Sequence, residues 1–236
     1  PHLESLYGTI IPIFNGLIIR LMPNVKKTRT RLSPETRIAM ILDHAAEFIA
    51  ADGVSALSME RLAKSADISK SLVYAYFPSM TELLQTLLKR EYRLLRLKQA
   101  AAADSAGTWE QFVRQITRAY LLYIEEKGLL LDRLMAEPAV AALGDPTQFH
   151  RSSAVNHVAQ ILVDNFGIDM EIAIPVVDIS FGLPASAGQY LTHNNVDRET
   201  IEDITVAMMI GSIEAVRQKY ETSLKPLVRH QPAESS

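Results

Sequence analysis

Lys70, Ser71, Leu72 and Tyr74 fall within five residues of one another, with Tyr76 two further on. An ammonium, a hydroxyl, a phenol and an apolar branch suit recognition by hydrogen bonding and contact rather than bond cleavage. Leu72 offers only apolar contact, for example to a thymine methyl. The segment that carries these residues reads as two short helices with a tight turn between them. Ser58 is placed to cap the first, its hydroxyl on free backbone N–H groups. Leu62, Ala63 and Ala66 give that helix a narrow inward stripe, and Ala66 is small enough for a second helix to cross closely. Asp67-Ile68 makes the turn, and Ser69 caps the second helix. Pro78 forbids continuation much past Tyr76, because the residue before a proline is pushed out of the α region. Two turns of helix cannot build a core. A helix that short makes sense when its outer face enters a groove, as the second helix of a helix-turn-helix does in DNA.

A third helix precedes the pair. Ser33 is a good N-cap, Pro34 suits the first helical position, and Glu35 favours the positive end of the dipole. Ile38, Ile41, Leu42, Ala45 and Ile49 follow at helical spacing with Asp43, Glu47 and Asp52 turned outward. Gly53 is expected to end this helix as a left-handed cap. Ser79-Met80-Thr81-Glu82 is a capping box that opens a long helix to about Ala103.

The order Ile38…Ala45-Ala46…Ile49…Gly53…Leu62-Ala63…Ala66…Ser69-Lys70…Tyr74-Ala75-Tyr76-Phe77…Leu83-Leu84 resembles the TetR family of bacterial transcriptional repressors over residues 34–94. The resemblance implies an all-α chain, with an N-terminal helix-turn-helix DNA-binding domain joined to a larger helical ligand-binding and dimerisation domain. By the same resemblance Tyr74 and Tyr76 bond phosphates or pack on sugars, and Ser69 holds a phosphate. Lys70, Ser71 and Leu72 face base edges, and Ser58 lies at the same surface. Ala63, Ile68, Val73 and Phe77 are expected to be buried. Two positions depart from the family's habit: Asp67 stands where glycine is usual at the turn, and Met80 where a phosphate-contacting lysine is common.

The charge distribution agrees. The net charge is −3, yet residues 22–100 hold 13 Lys/Arg against 8 Asp/Glu, while residues 101–236 hold 10 against 18. A polyanion is attracted to the first part and repelled by the second. Lys26, Lys27, Arg29 and Arg31 form a basic arm ahead of the first helix, suited to phosphates or a minor groove. Residues 1–21 resemble neither a signal peptide nor an anchor helix. Met22 is read as the native start, with 1–21 an over-extended reading frame or, alternatively, a flexible extension. The chain is thus divided into 1–33 (extension and arm), 34–94 (helix-turn-helix), 95–225 (ligand and dimer module) and 226–236 (flexible tail).

Enzyme chemistry finds no support. There is no cysteine, no His-Glu-x-x-His, no Gly-x-Gly-x-x-Gly and no phosphate loop. The six histidines are scattered. His150 and His157 could share a helix face, but Asp145 and Asp164 supply no obvious further metal ligand. No cofactor or metal is expected. The absence of cysteine fits a reducing cytoplasm, and no run of 18 apolar residues suggests a membrane span.

From Thr108 the pattern is helical almost to the end. One helix runs from Trp109 to near Gly128 and a shorter one over about Leu129–Glu137. A third follows Asp145-Pro146 to Phe166, with Gly167 as its cap. A fourth runs from Asp169 to about His193, bent at Pro175 and Pro184, and the last covers Arg198 to Glu221 with Asp197 as cap. That makes about nine helices in all. Small residues crowd the last two; Gly182, Ala185, Met208, Gly211, Ser212 and Ala215 are the expected homodimer interface. Candidate contacts for a small, largely apolar inducer are Trp109, Phe112, Tyr120, Tyr123, Phe149, His150 and Phe181, each of which packs equally well as core. The functional expectation is a homodimeric repressor on a palindromic double-stranded operator, released by that ligand. The alternative is an activator or co-regulator controlled by a protein partner through the C-terminal part.

Overall fold

Helix signals in the sequence become helices almost wherever a cap and an apolar stripe coincide. The computed structural model describes residues 33–141 and 148–221. Among them are ten α-helices and one 3-10 turn, with no strand: α1 (Pro34–Asp52), the 3-10 turn (Val54–Ala56), α2 (Met59–Ser65), α3 (Lys70–Tyr76), α4 (Met80–Asp104), α5 (Trp109–Met135), α6 (Pro138–Ala141), α7 (Gln148–Phe166), α8 (Met170–Ser180), α9 (Gly182–His193) and α10 (Arg198–Glu221). The expected caps at Ser58, Ser69, Ser79 and Asp197 are in place. Ser58, Ser69, Ser79 and Thr108 each accept a hydrogen bond from the backbone N–H three residues on, at 3.1–3.2 Å. Asp197 accepts from the Thr200 N–H at 2.8 Å.

Three expectations need correction. Gly128 does not end a helix: α5 runs through it to Met135, so Leu129–Glu137 is no separate element. A Cβ at Gly128 would lie 3.1 Å from the Thr192 hydroxyl, so the glycine there lets α9 approach α5. Gly188 does the same from the other side, its absent Cβ falling 3.0 Å from the Tyr120 ring. The stretch from Asp169 to His193 is two helices, α8 and α9, broken at Phe181. Pro184 removes the N–H that would reach the Ser180 carbonyl, and its ring crowds that carbonyl; Pro175 is tolerated inside α8. Gly53 has a positive φ of 84° but a ψ of 169°, so it turns the chain without adopting the left-handed helical conformation. With α6 added, the count becomes ten. By length and composition Met170–His193 would be apolar enough to cross a membrane, with a mean hydropathy of 1.3. In the fold this stretch is divided at Phe181 into α8 and α9, and its buried positions are Ala173, Val177, Ser180 and Gly188.

Helix α5 organises the interior. It packs against α4, α9, α10, α1 and α6, while α7 packs on α8. The main apolar cluster joins Ile41, Leu42, Ile49, Leu62, Val73, Phe77, Leu83 and Leu87 to Tyr123, Leu130, Leu131 and Leu134 of α5. The core beneath the first three helices therefore continues without a break into α5. Two smaller clusters lie beyond it, one on α7 and α8 and one around Val113, Val206 and Met209. Trp109 and Phe112 pack against both.

Candidate nucleic-acid interface

The tight α2–α3 turn follows from one backbone position. Asp67 has φ 50°, the left-handed region that glycine usually fills, and no other non-glycine among the described residues has a positive φ. Its neighbours close the turn, with the Ala66 N–H on Leu62 O at 2.9 Å and the Ile68 N–H on Ala63 O at 3.0 Å. Ala63 and Val73 are buried, as expected for the two helices' contact faces, and Phe77 closes the end of α3 with its N–H on Val73 O at 2.9 Å. Ile68 is only partly buried, packed at the margin of the core rather than within it.

With that inner face held, α3 presents the rest of its surface. Lys70, Ser71 and Tyr74 are exposed, Tyr74 by 44% although it is a large aromatic. Leu72 is half-buried, and Tyr76 packs partly against the core. Ser58 and Ser69 use their hydroxyls as caps, and Ser69 Oγ also lies 3.0 Å from Ser71 Oγ. The sequence had not singled out Glu60, whose carboxylate oxygen is 3.6 Å from Lys70 Nζ. Nor had it singled out Arg61, whose guanidinium sits over the Phe48 ring at 5.0 Å and pairs with Asp52 at 3.9 Å. Lys26, Lys27, Arg29 and Arg31 lie outside the described residues.

Two polar clamps join this surface to the rest of the chain. Arg90 of α4 donates to Asp43 of α1 at 2.6 Å and to Glu91 at 3.0 Å. Glu91, 1% exposed, accepts in turn from the Tyr123 hydroxyl of α5 at 2.8 Å. Burial first, and then the bond to Glu91, push the Tyr123 phenol well above its ordinary range. In the second clamp, Arg133 of α5 donates to the carbonyls of Ile49 and Ala50 at 2.6 and 2.9 Å in the last turn of α1, where Ile49 O also accepts from the Gly53 N–H at 3.0 Å. The sequence signal for Glu91 was a carboxylate in line with Leu87, Leu88 and Leu95, a charge on a buried stripe; Arg133 left no such trace.

The other candidate residues separate into groups. Trp109 stacks on Phe112 at 5.6 Å and meets Phe166 edge-on at 5.8 Å. Phe181 packs against the α7–α8 cluster. Tyr120 lies against α9, and burial pushes its phenol up to about 12. Tyr123 is inside the main core with its hydroxyl engaged. Phe149 and His150 belong to the first turn of α7, and their side chains lie outside what the structure describes. Of the small residues, Gly182, Ala185, Gly211 and Ala215 are exposed, and a Cβ at Gly182 or Gly211 would meet nothing within 4 Å. Met208 is 52% exposed, and Ser212 is half-buried with its hydroxyl on Met209 O.

Helices α2 and α3 with the turn between them form a helix-turn-helix of the kind found in DNA-binding regulators. Residues 41–87 match the family model of bacterial regulatory proteins, tetR family. The HTH-type transcriptional repressor KstR of Mycolicibacterium smegmatis is 28% identical over 142 residues, which is 58% of this chain and 65% of that protein, slightly under two thirds of its length. Among solved structures, a tetR-family transcriptional regulator from Streptomyces coelicolor superposes with a TM-score of 0.63 at 21% identity, over 80% of this chain and 85% of that one. A TetR-like transcriptional regulator from Rhodococcus sp. RHA1 does so with 0.57 at 22%, over 78% and 99%. Residues 41–87 are thus similar to the DNA-binding part of tetR-family regulators, and the described helices share the fold of these solved structures.

Proposed function

We propose that the chain is a homodimeric, sequence-specific repressor whose α3 reads the major groove and whose C-terminal helices bind a small, largely apolar ligand that releases it. The observation that carries the reading is the contrast across α3: Val73 fully buried, and Lys70, Ser71 and Tyr74 left in solvent on a helix locked by Phe77. Residues 34–94 act as the DNA-binding domain and residues 95–225 as the ligand and dimer module. Phosphate contacts set register, whereas base contacts set sequence. Replacement of Tyr74 by phenylalanine is therefore expected to weaken all sites alike, by roughly tenfold for one hydrogen bond to a charged group. Ser71→Ala is expected instead to reorder the preferred sites. Competition binding on operator variants separates the two, and equal shifts in preference from both variants would contradict the assignment.

Support for the dimer comes from the groove between α9 and α10. It has a volume of about 580 Å³ and is lined by Leu183, Tyr190, Ile201, Ile204 and Met208. Gly211, Ser212 and Ala215 extend the Met208 stripe along α10 at helical spacing. Two recognition helices held about 34–36 Å apart read two half-sites, which one helix cannot do. Met208→Glu puts a charge at the centre of that face; the expected result is a monomer by light scattering, with operator affinity lost and the circular dichroism of the folded chain retained. An unchanged dimer would remove α10 from the interface.

Trp109 and Phe112, shared between two separate apolar clusters, are the favoured ligand contacts, with Phe166 and Phe181 beside them. A ligand inserted there can favour a different spacing of the recognition helices only by its differential affinity for the two states. The test of the whole reading is fluorescence anisotropy of the full chain on fragments flanking its own gene, over a salt series. Tight, salt-sensitive binding to one palindromic fragment is expected, and equal binding to all fragments would refute it.

A further inference from the structure

Glu60 stands in the first turn of α2 and Lys70 is the first residue of α3, and their side chains meet at 3.6 Å across the turn. Both are exposed, so the pair contributes little to stability. Its placement is more telling. Residues at the start of a recognition helix approach base edges, and a carboxylate at that surface is repelled by phosphates while cancelling the lysine's charge. Arg61 does not relieve it, since its guanidinium is turned onto Phe48 and Asp52. A carboxylate kept beside the reading lysine is useful only where it finds a donor.

We propose that Glu60 and Lys70 together read one G·C base pair, with Glu60 the specificity-determining residue; the inference rests on the DNA-binding role assigned to α3 above. In the major groove guanine presents the N7 and O6 acceptors, and its cytosine partner presents the N4 amino donor. The ammonium donates to N7 and O6 and the carboxylate accepts from N4. Guanine O6 and cytosine N4 are hydrogen-bonded to each other, so they lie about 3 Å apart, comparable with the spacing of the two side-chain charges. On an A·T pair the lysine keeps only N7, and thymine O4 replaces the cytosine donor, setting acceptor against acceptor. On unrelated DNA the carboxylate meets phosphates unpaired, which weakens non-specific binding.

The experiment is selection of sites from a randomised duplex library by the full-length wild-type chain and by Glu60→Gln. The selected duplex and a scrambled one are then titrated with each protein over a salt series, with circular dichroism as the check on folding. The wild type is expected to select a half-site containing a G·C pair at which E60Q loses about tenfold of its preference. E60Q is also expected to bind the scrambled duplex more tightly, with a log–log salt slope steeper by about 0.9 as Lys70 becomes available to a phosphate. In the K70M background the E60Q change should no longer alter that preference. An E60Q protein that keeps the wild-type preference at every position, or changes it only at an A·T pair, overturns the inference and leaves the regulator reading standing. A wild type that selects no site at all refutes the regulator reading, and this inference with it.

Discussion

Replacement of Phe77 by alanine is expected to lower the stability of the chain by about 3–5 kcal/mol, or about 6–20 °C in melting temperature at this length. Phe77 is 3% exposed and belongs to the cluster that unites α1, α2 and α3 with α4 and α5. It also caps α3, so its ring and its N–H hold the same seven-residue helix. A helix of two turns has no stability of its own, and α3 buries only Val73 from within its span. Loss of the Phe77 ring should therefore free α3 before the rest of the chain unfolds. DNA affinity is expected to fall at temperatures where the circular dichroism is still that of the folded protein. A melting curve combined with anisotropy at matched temperatures tests this. A variant that melts within about 2 °C of wild type would show that Phe77 is not what holds the recognition helix.

The second large effect is expected at Glu91, for which alanine should cost about 3–5 kcal/mol, the usual result of removing one partner of a buried ion pair. Its carboxylate accepts from Arg90 at 3.0 Å on one oxygen and from Tyr123 at 2.8 Å on the other. Arg90 would keep Asp43 but lose half of its compensation in a mostly buried position. Tyr123→Phe removes one neutral donor while Arg90 still holds the acid, so about 1–3 kcal/mol is expected. The order, Glu91→Ala worse than Tyr123→Phe, is measurable in urea denaturation, and its reversal would contradict the network. A pH consequence follows. The folded phenol is held above its ordinary value, so the unfolded chain loses that proton first; the contribution is complete below about pH 10 and declines as pH rises beyond it. Because the same chain of contacts runs from α1 through α4 to α5, a Glu91 variant that folds is expected to bind DNA more weakly as well.

Much of this protein was legible in its sequence for a plain reason: its signals are local. Ser58, Ser69 and Ser79 mark helix starts because a side-chain oxygen three residues before a free N–H is enough to satisfy it. Pro78 stops α3 without reference to anything distant. The inner stripe of α1 emerges from 3.6-residue periodicity alone, and Ile41, Leu42, Ala45 and Ile49 are all buried. Even the departure at Asp67 could be read, since few residues other than glycine accept its positive φ.

What the sequence could not show depended on neighbours brought from afar. Gly128 looks like a helix end, and only the approach of α9, 64 residues later, explains why α5 continues through it. The break between α8 and α9 set two prolines against a long apolar run, and local rules could not weigh one against the other. Small residues in the last helices all read alike, yet Gly188 faces Tyr120 while Gly182 and Gly211 face open space. Glu60 beside Lys70, Glu91 beneath Tyr123 and Arg133 on the end of α1 are pairings across ten, 32 and 84 residues. By itself the sequence determined the first four helices, the turn and the exposed face of α3, because backbone hydrogen bonding and periodicity act within a few residues. Only the tertiary structure decided which charges meet and which glycines are covered, because those depend on how whole helices pack.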